Sequence, residues 1–128
     1  MLLCDHRLSG LWRPTGGQVE PGEHPLGTVR REIVEELGIA AEPEPAFPDK
    51  PFFLTMTETV GAPATRHLDV SLWYALAGRV RQPLQPDPRE FIQVRWWTAA
   101  EVRQVGPDRL EPHLLRALNA LGLPHRTV

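Results

Sequence analysis

A mixed α/β fold is predicted for this sequence, and three stretches predict it. Residues 25–38 carry Leu26, Ile33 and Leu37 at helical spacing between a proline and a glycine. Residues 67–76 alternate, with Leu68, Val70, Leu72, Tyr74 and Leu76 on one face and His67, Asp69, Ser71 and Trp73 on the other. Near the end, Leu110, Leu114, Ala117, Leu118 and Leu121 follow the period of a closing amphipathic helix, stopped by Gly122 and Pro124.

The first helix is the most informative. Pro25 suits the opening turn, where a missing N–H costs nothing. Gly38 is a good left-handed stop. Between them Glu32, Glu35 and Glu36 fall within an arc of about 100°, beside the apolar stripe. Arg30 and Arg31 lie off that arc. Like charges three or four residues apart repel. Such carboxylates hold a proton, hold a cation, or form a solvated face. Oxygen ligands without His or Cys favour Mg²⁺ or Mn²⁺.

The surrounding spacing narrows the choice. Gly17 precedes Glu23 by six positions, and Glu23 precedes Arg31-Glu32-Ile33 by eight. Glu35-Glu36 and Gly38-Ile39 complete the pattern. Together with Gly16 and residues 19–23, this stretch resembles the Nudix box at every defined position. The resemblance implies a single Nudix hydrolase domain over residues 1–128 with an α/β/α sandwich and a mixed β-sheet. It implies metal-dependent cleavage of a diphosphate bond in a nucleoside diphosphate linked to another group. Glu32, Glu35 and Glu36 would be metal ligands, joined by the carbonyl of Gly17 or Gly16. Glu23 and Arg31 would be a structural pair tying loop to helix. An acidic residue before the last strand often completes such a site or acts as base; Glu90 is the choice here, with Asp87 and Glu58 in reserve. The general base is left open among Glu32, Glu35 and Glu90. Thr15 stands where the family has proline, and the glycines keep the turn.

Composition sets outer bounds. The 128 residues are 41% hydrophobic and 23% charged, as in an ordinary globular chain. A formal charge of −2 gives no support for binding a nucleic-acid polymer. No apolar run is long enough to span a membrane. The single cysteine, Cys4, forms no internal disulfide and fits a reducing cytoplasm. The partner is then a small diphosphate substrate.

In chain order, residues 1–4 read as the tail of a strand, 5–10 as a polar turn and 11–13 as a resumed strand. Nudix proteins usually have one more strand before this point, so either the start is truncated or the sheet lacks its first strand and has an open edge. An open edge invites pairing with another chain, a homodimer included. Four prolines make residues 40–51 a linker without regular structure, kept solvated by Glu42, Glu44 and Asp49. Residues 52–60 form a strand paired with 67–76, whose polar face either lines the substrate cleft or is merely exposed. His67 reads as a surface residue. Residues 82–89 are a proline-rich loop delivering Glu90 to a strand over 92–97. Trp96 and Trp97 are candidates to stack on a base, but adjacent strand residues face opposite ways, so at least one belongs in the core. Thr98 and Glu101 form a capping box.

Two further activities stand beside hydrolysis. Some Nudix folds bind or sense nucleotides without catalysis, but they typically lose box glutamates, which this chain keeps. Some isomerise prenyl diphosphates, but no cysteine is placed to support that, since Cys4 is alone and near the terminus. No residues specify the substrate.

Overall fold

Strand β1, Leu2–His6, is the centre of a three-stranded antiparallel sheet in the computed structural model, which describes residues 1–122. Its neighbours are β2, Trp12–Arg13, and β7, Phe91–Trp96. Alternation along β1 sorts the core into two layers. Leu3 joins Trp12, Trp97 and Val102 on one face. Cys4 joins Ile33, Leu37, Ile39 and Phe91 on the other. Helix α1, Pro25–Leu37, covers the Cys4 face. Helices α2, Ala99–Gln104, and α3, Leu114–Ala120, cover the Leu3 face. The layers are therefore α/β/α, as expected.

The N-terminal strand runs further than its polar residues suggest. Asp5 and His6 belong to β1 rather than to the turn, which occupies residues 7–9 and closes at Gly10 with φ 70°. Asp5 pairs with Trp12 and Gln93, and is buried. Arg109 approaches its carboxylate at 3.8 Å.

Two more ladders complete the strands. Strand β3, Glu42–Pro43, pairs with β6, Leu76–Ala77, inside the stretch read as an irregular linker. A two-residue edge tolerates Pro43, whose missing donor matters little there. Glu42 also holds Arg30 at 2.8 Å, so it does more than keep the linker in water. Strand β4, Phe53–Glu58, pairs with β5, Leu68–Trp73. Every ladder is antiparallel; the parallel component is a bridge between Trp12 and Leu110.

The β4–β5 ribbon turns its regular apolar row outward. Leu54, Met56, Leu68 and Val70 are about half exposed or more. The opposite row packs inward at its Trp73 end, where Trp73 donates to Thr55 Oγ1 at 3.3 Å and meets Phe53 edge-on. An apolar cavity of about 240 Å³ lies between Met1–Leu3, the β6 edge and the inner faces of α1 and α3.

The closing helix is shorter than its periodicity. Residues Pro107–Arg109 form a 3-10 turn, and Leu110 is buried through its bridge to Trp12. Gly122 has the left-handed φ of a stop, 63°; Pro124 lies outside the described residues.

Candidate functional site

Helix α1 begins and ends where its sequence dictates. His24 caps it by accepting from the Leu26 N–H, and Pro25 opens the first turn. Gly38 closes it at φ 68°, its N–H donating to the Val34 carbonyl. The three glutamates do leave the helix on one side, yet they diverge at their tips. Arg31 is the reason.

Arg31 grips Glu23 with two bonds, Nε to Oε2 at 2.9 Å and Nη2 to Oε1 at 3.1 Å. Its Nη2 also donates to the Gln18 carbonyl, while Nη1 reaches Glu32 Oε1 at 3.1 Å and Glu35 Oε2 at 3.3 Å. The backbone of Arg31 lies off the acidic arc, but its long side chain crosses back over it. The expectation that it stays apart from these carboxylates is corrected by that reach. Thr28 Oγ1 gives Glu23 a further bond at 2.6 Å. Arg31, and then Thr28, hold the Glu23 carboxyl down at about 2. Glu23 in return raises the Arg31 guanidinium. Loop 18–23 is thereby fastened to the helix.

Gly17 is packed against Glu32. A Cβ placed on Gly17 would lie 2.1 Å from Glu32 Oε1, so any other residue would have to displace that carboxylate. Burial raises the Glu32 pKa, with Arg31 opposing. Glu35 is mostly exposed and is tied to Arg31.

Glu36 has a different environment. One oxygen, Oε2, is buried without a hydrogen-bond partner among the described residues. Burial first, and the nearby Glu90 and Glu32 charges next, push its carboxyl up to about 8, the Gly16 amide opposing. Glu90 reaches it because the proline-rich loop is stitched to the end of α1. The Asp87 N–H donates to the Glu36 carbonyl at 2.9 Å, and the Gln85 N–H to the Leu37 carbonyl at 2.8 Å. Phe91 then enters β7, leaving Glu90 beside Glu36. Asp87 is occupied by Arg89, and Glu58 ends the outward ribbon opposite Leu68.

A recess of about 120 Å³ forms between Glu36, Glu90, Gly16, Pro14, Phe91, His6 and Arg13. Glu36 and Glu90 meet there; Glu32 approaches through Gly17, and Glu35 stays with Arg31. His6 and Arg13 were not singled out from sequence. Strand alternation from Cys4 is the signal that places them on this face. Among the described residues no three His, Cys, Asp or Glu side chains already converge as a ligand set. The donor chemistry nevertheless fits a hard divalent cation: carboxylate oxygens, with one buried oxygen lacking a partner.

Comparison with known proteins bears on family and fold. The family model described as NUDIX domain matches residues 1–119. This chain belongs to the Nudix family. A curated relative, an uncharacterized Nudix hydrolase, orf19, of Rhodococcus erythropolis, is 33% identical over 94 residues. That match covers 68% of this chain and 45% of the relative, so the Nudix chain spans less than half of the relative's length. A crystal structure of a NUDIX-family hydrolase from Clostridium perfringens superposes with a TM-score of 0.64 at 20% identity. It covers 95% of this chain and 87% of its own, and shows the shared Nudix fold.

Other sequence candidates are placed more simply. His67 pairs with Asp69 at 2.9 Å on the exposed ribbon. Trp97 is core, edge-on to Trp12, while Trp96 lines the apolar cavity against Gly78. Trp97 is therefore the core member of the pair. Burial, with Glu36 adding, pushes the Cys4 thiol up to about 12. Such a thiol is inert. No helix among the described residues is long and apolar enough to cross a membrane.

Proposed function

We propose that this Nudix protein hydrolyses the diphosphate bond of a nucleoside diphosphate-linked or related small molecule, using Mg²⁺ or Mn²⁺. The observation carrying this reading is the Glu36–Glu90 carboxylate pair in a recess that Gly16 also lines. Glu32, Glu35 and Glu36 would hold the cation, with the carbonyl of Gly17 or Gly16. When bound, a divalent ion neutralises phosphate oxygens and makes an attacking water more acidic.

The chain's own groups divide the remaining work. Arg31 keeps Glu32 and Glu35 close to the loop until ligands compete for them. The protein shields Glu36 Oε2 from solvent. Glu90, beside it, accepts the proton of the attacking water at a carboxylate oxygen. The water oxygen bonds to phosphorus as the bridging P–O bond breaks, and the leaving phosphate takes the electron pair.

One observation favours the non-catalytic alternative, a nucleotide-binding module: Arg31 engages two of the three box carboxylates. A substrate panel separates the two. Nucleoside triphosphates, oxidised nucleotides, ADP-ribose, dinucleoside polyphosphates and sugar nucleotides should be incubated with and without Mg²⁺. Metal-dependent release of phosphate or monophosphate is the expected result. It should fall roughly 10²–10⁴-fold in Glu36→Gln, the usual range for a positioned ionisable group. Binding without turnover across the panel would install the module reading.

A cytoplasmic setting and a homodimer belong to the same proposal. The single buried thiol supports the first. The outward row Leu54, Met56, Leu68 and Val70 supports the second. Light scattering over a concentration series tests the dimer.

A further inference from the structure

The recess has a cationic wall as well as an acidic one. Arg13 lies opposite Cys4 across adjacent strands, and cross-strand partners share a face. Cys4 belongs to the core layer under α1. Arg13 is therefore carried toward α1, into the recess that Glu36 and Glu90 line. His6, two residues from Cys4, shares this face and stands beside Phe91 with ring centroids 6.3 Å apart.

The partners of these two side chains are informative. Arg30, Arg31, Arg89, Arg95 and Arg109 each approach a carboxylate within 4 Å. Arg13 has no such partner among the described residues, although two carboxylates line the same recess. The Ser9 N–H donates to His6 Nδ1 at 3.2 Å. A backbone amide can only donate, so neutral His6 carries its proton on Nε2. Both residues thus offer unengaged N–H donors. A guanidinium fork matches two phosphate oxygens in a way that an ammonium does not.

We propose that Arg13, assisted by His6, anchors the substrate by holding non-bridging oxygens of its diphosphate on the sheet side of the recess, opposite Glu36 and Glu90. This rests on the diphosphate reading above. The anion then sits between fixed positive charge on β2 and the carboxylates of α1 and the β7 entry. Such an anchor acts in the ground state and the transition state alike, so its loss appears in KM rather than in kcat.

The test uses the full chain and methylene diphosphonate, which hydrolysis does not cleave, titrated calorimetrically in the presence of Mg²⁺. Arg13→Gln should weaken binding roughly 10- to 100-fold, the range for losing a charge-assisted hydrogen bond. KM for an active substrate should rise similarly, with kcat nearly unchanged. Arg13→Lys should restore part of the affinity, because charge returns without the fork. It also carries the test if the glutamine variant melts early. Equal affinity in wild type, Arg13→Gln and Arg13→Lys overturns the anchor and leaves the diphosphate reading standing. No binding of the Mg²⁺–diphosphonate by wild type overturns the diphosphate reading itself.

Discussion

Glu36 and Glu90 bring two carboxylates together from elements far apart in sequence, and Glu36 is the one that holds its proton. Its carboxyl is pushed up to about 8 from an ordinary 4.5. A raised acid stabilises the fold below its unfolded pKa and loses that contribution as pH climbs through the folded one. With a chelator present, Tm should therefore fall between about pH 5 and pH 8.5. Glu36→Gln should flatten this slope. A metal-free wild-type Tm that stays level or rises across that range would contradict the assignment.

Metal should reverse the penalty. A cation that binds only the folded chain raises its stability by mass action. Mn²⁺ should raise the melting temperature of wild type in a concentration-dependent way. Glu36→Gln should lose most of this response, because a neutral amide replaces the carboxylate. Glu35→Gln should lose less, since Glu35 is mostly exposed and already held by Arg31.

The two acidic residues of the proline-rich loop should separate in kinetics. Glu90 faces the recess, whereas Asp87 is spent on Arg89. On any active substrate Glu90→Gln should lower kcat by roughly 10²–10⁴-fold. Asp87→Asn should stay within a few-fold of wild type. Equal losses would mean that the loop acts only through its shape.

Glu23 should behave as support. Its carboxyl is held near 2 by Arg31 and Thr28. A depressed acid contributes stability above its unfolded pKa and loses it as pH falls toward the folded one. Glu23→Gln should lower Tm by a few degrees at pH 7 and have little effect near pH 2. Turnover should fall less than in Glu36→Gln. Freed from Glu23, Arg31 can settle further onto Glu32 and Glu35, so the variant's apparent metal affinity should also drop.

What the sequence disclosed depended on how local the cause was. Pro25 and Gly38 act on their own turns, and the Thr98–Glu101 box closes over three residues, so these ends were readable. Glu90 could be suspected from the family pattern, but its meeting with Glu36 depends on the Asp87–Glu36 and Gln85–Leu37 backbone bonds. No pattern of side chains reports those. Alternation along residues 67–76 separated two rows without saying which faced inward; Trp73 and Thr55 decided that through packing. Arg31 was placed correctly by its backbone and misjudged by its reach. Arg13 was passed over within the resumed strand because its importance comes from register with Cys4.

The uneven burial of the ladders sets a hierarchy of opening events. Leu2–His6 is covered on both sides, and Leu3 and Cys4 are almost wholly buried. The β4–β5 ribbon has one fully buried side chain, Thr55, and water reaches much of the rest. Away from the Trp73 end, which packs against the Leu3 layer, its ladder can part without breaking either core layer. Backbone deuterium uptake should therefore begin in residues 53–58 and 68–73 and show denaturant-independent exchange there. Amides of β1 and β7 should wait for whole-molecule unfolding. The chain would then consist of a slow-exchanging block that carries the carboxylates and a fast-exchanging arm that can be redesigned without touching them.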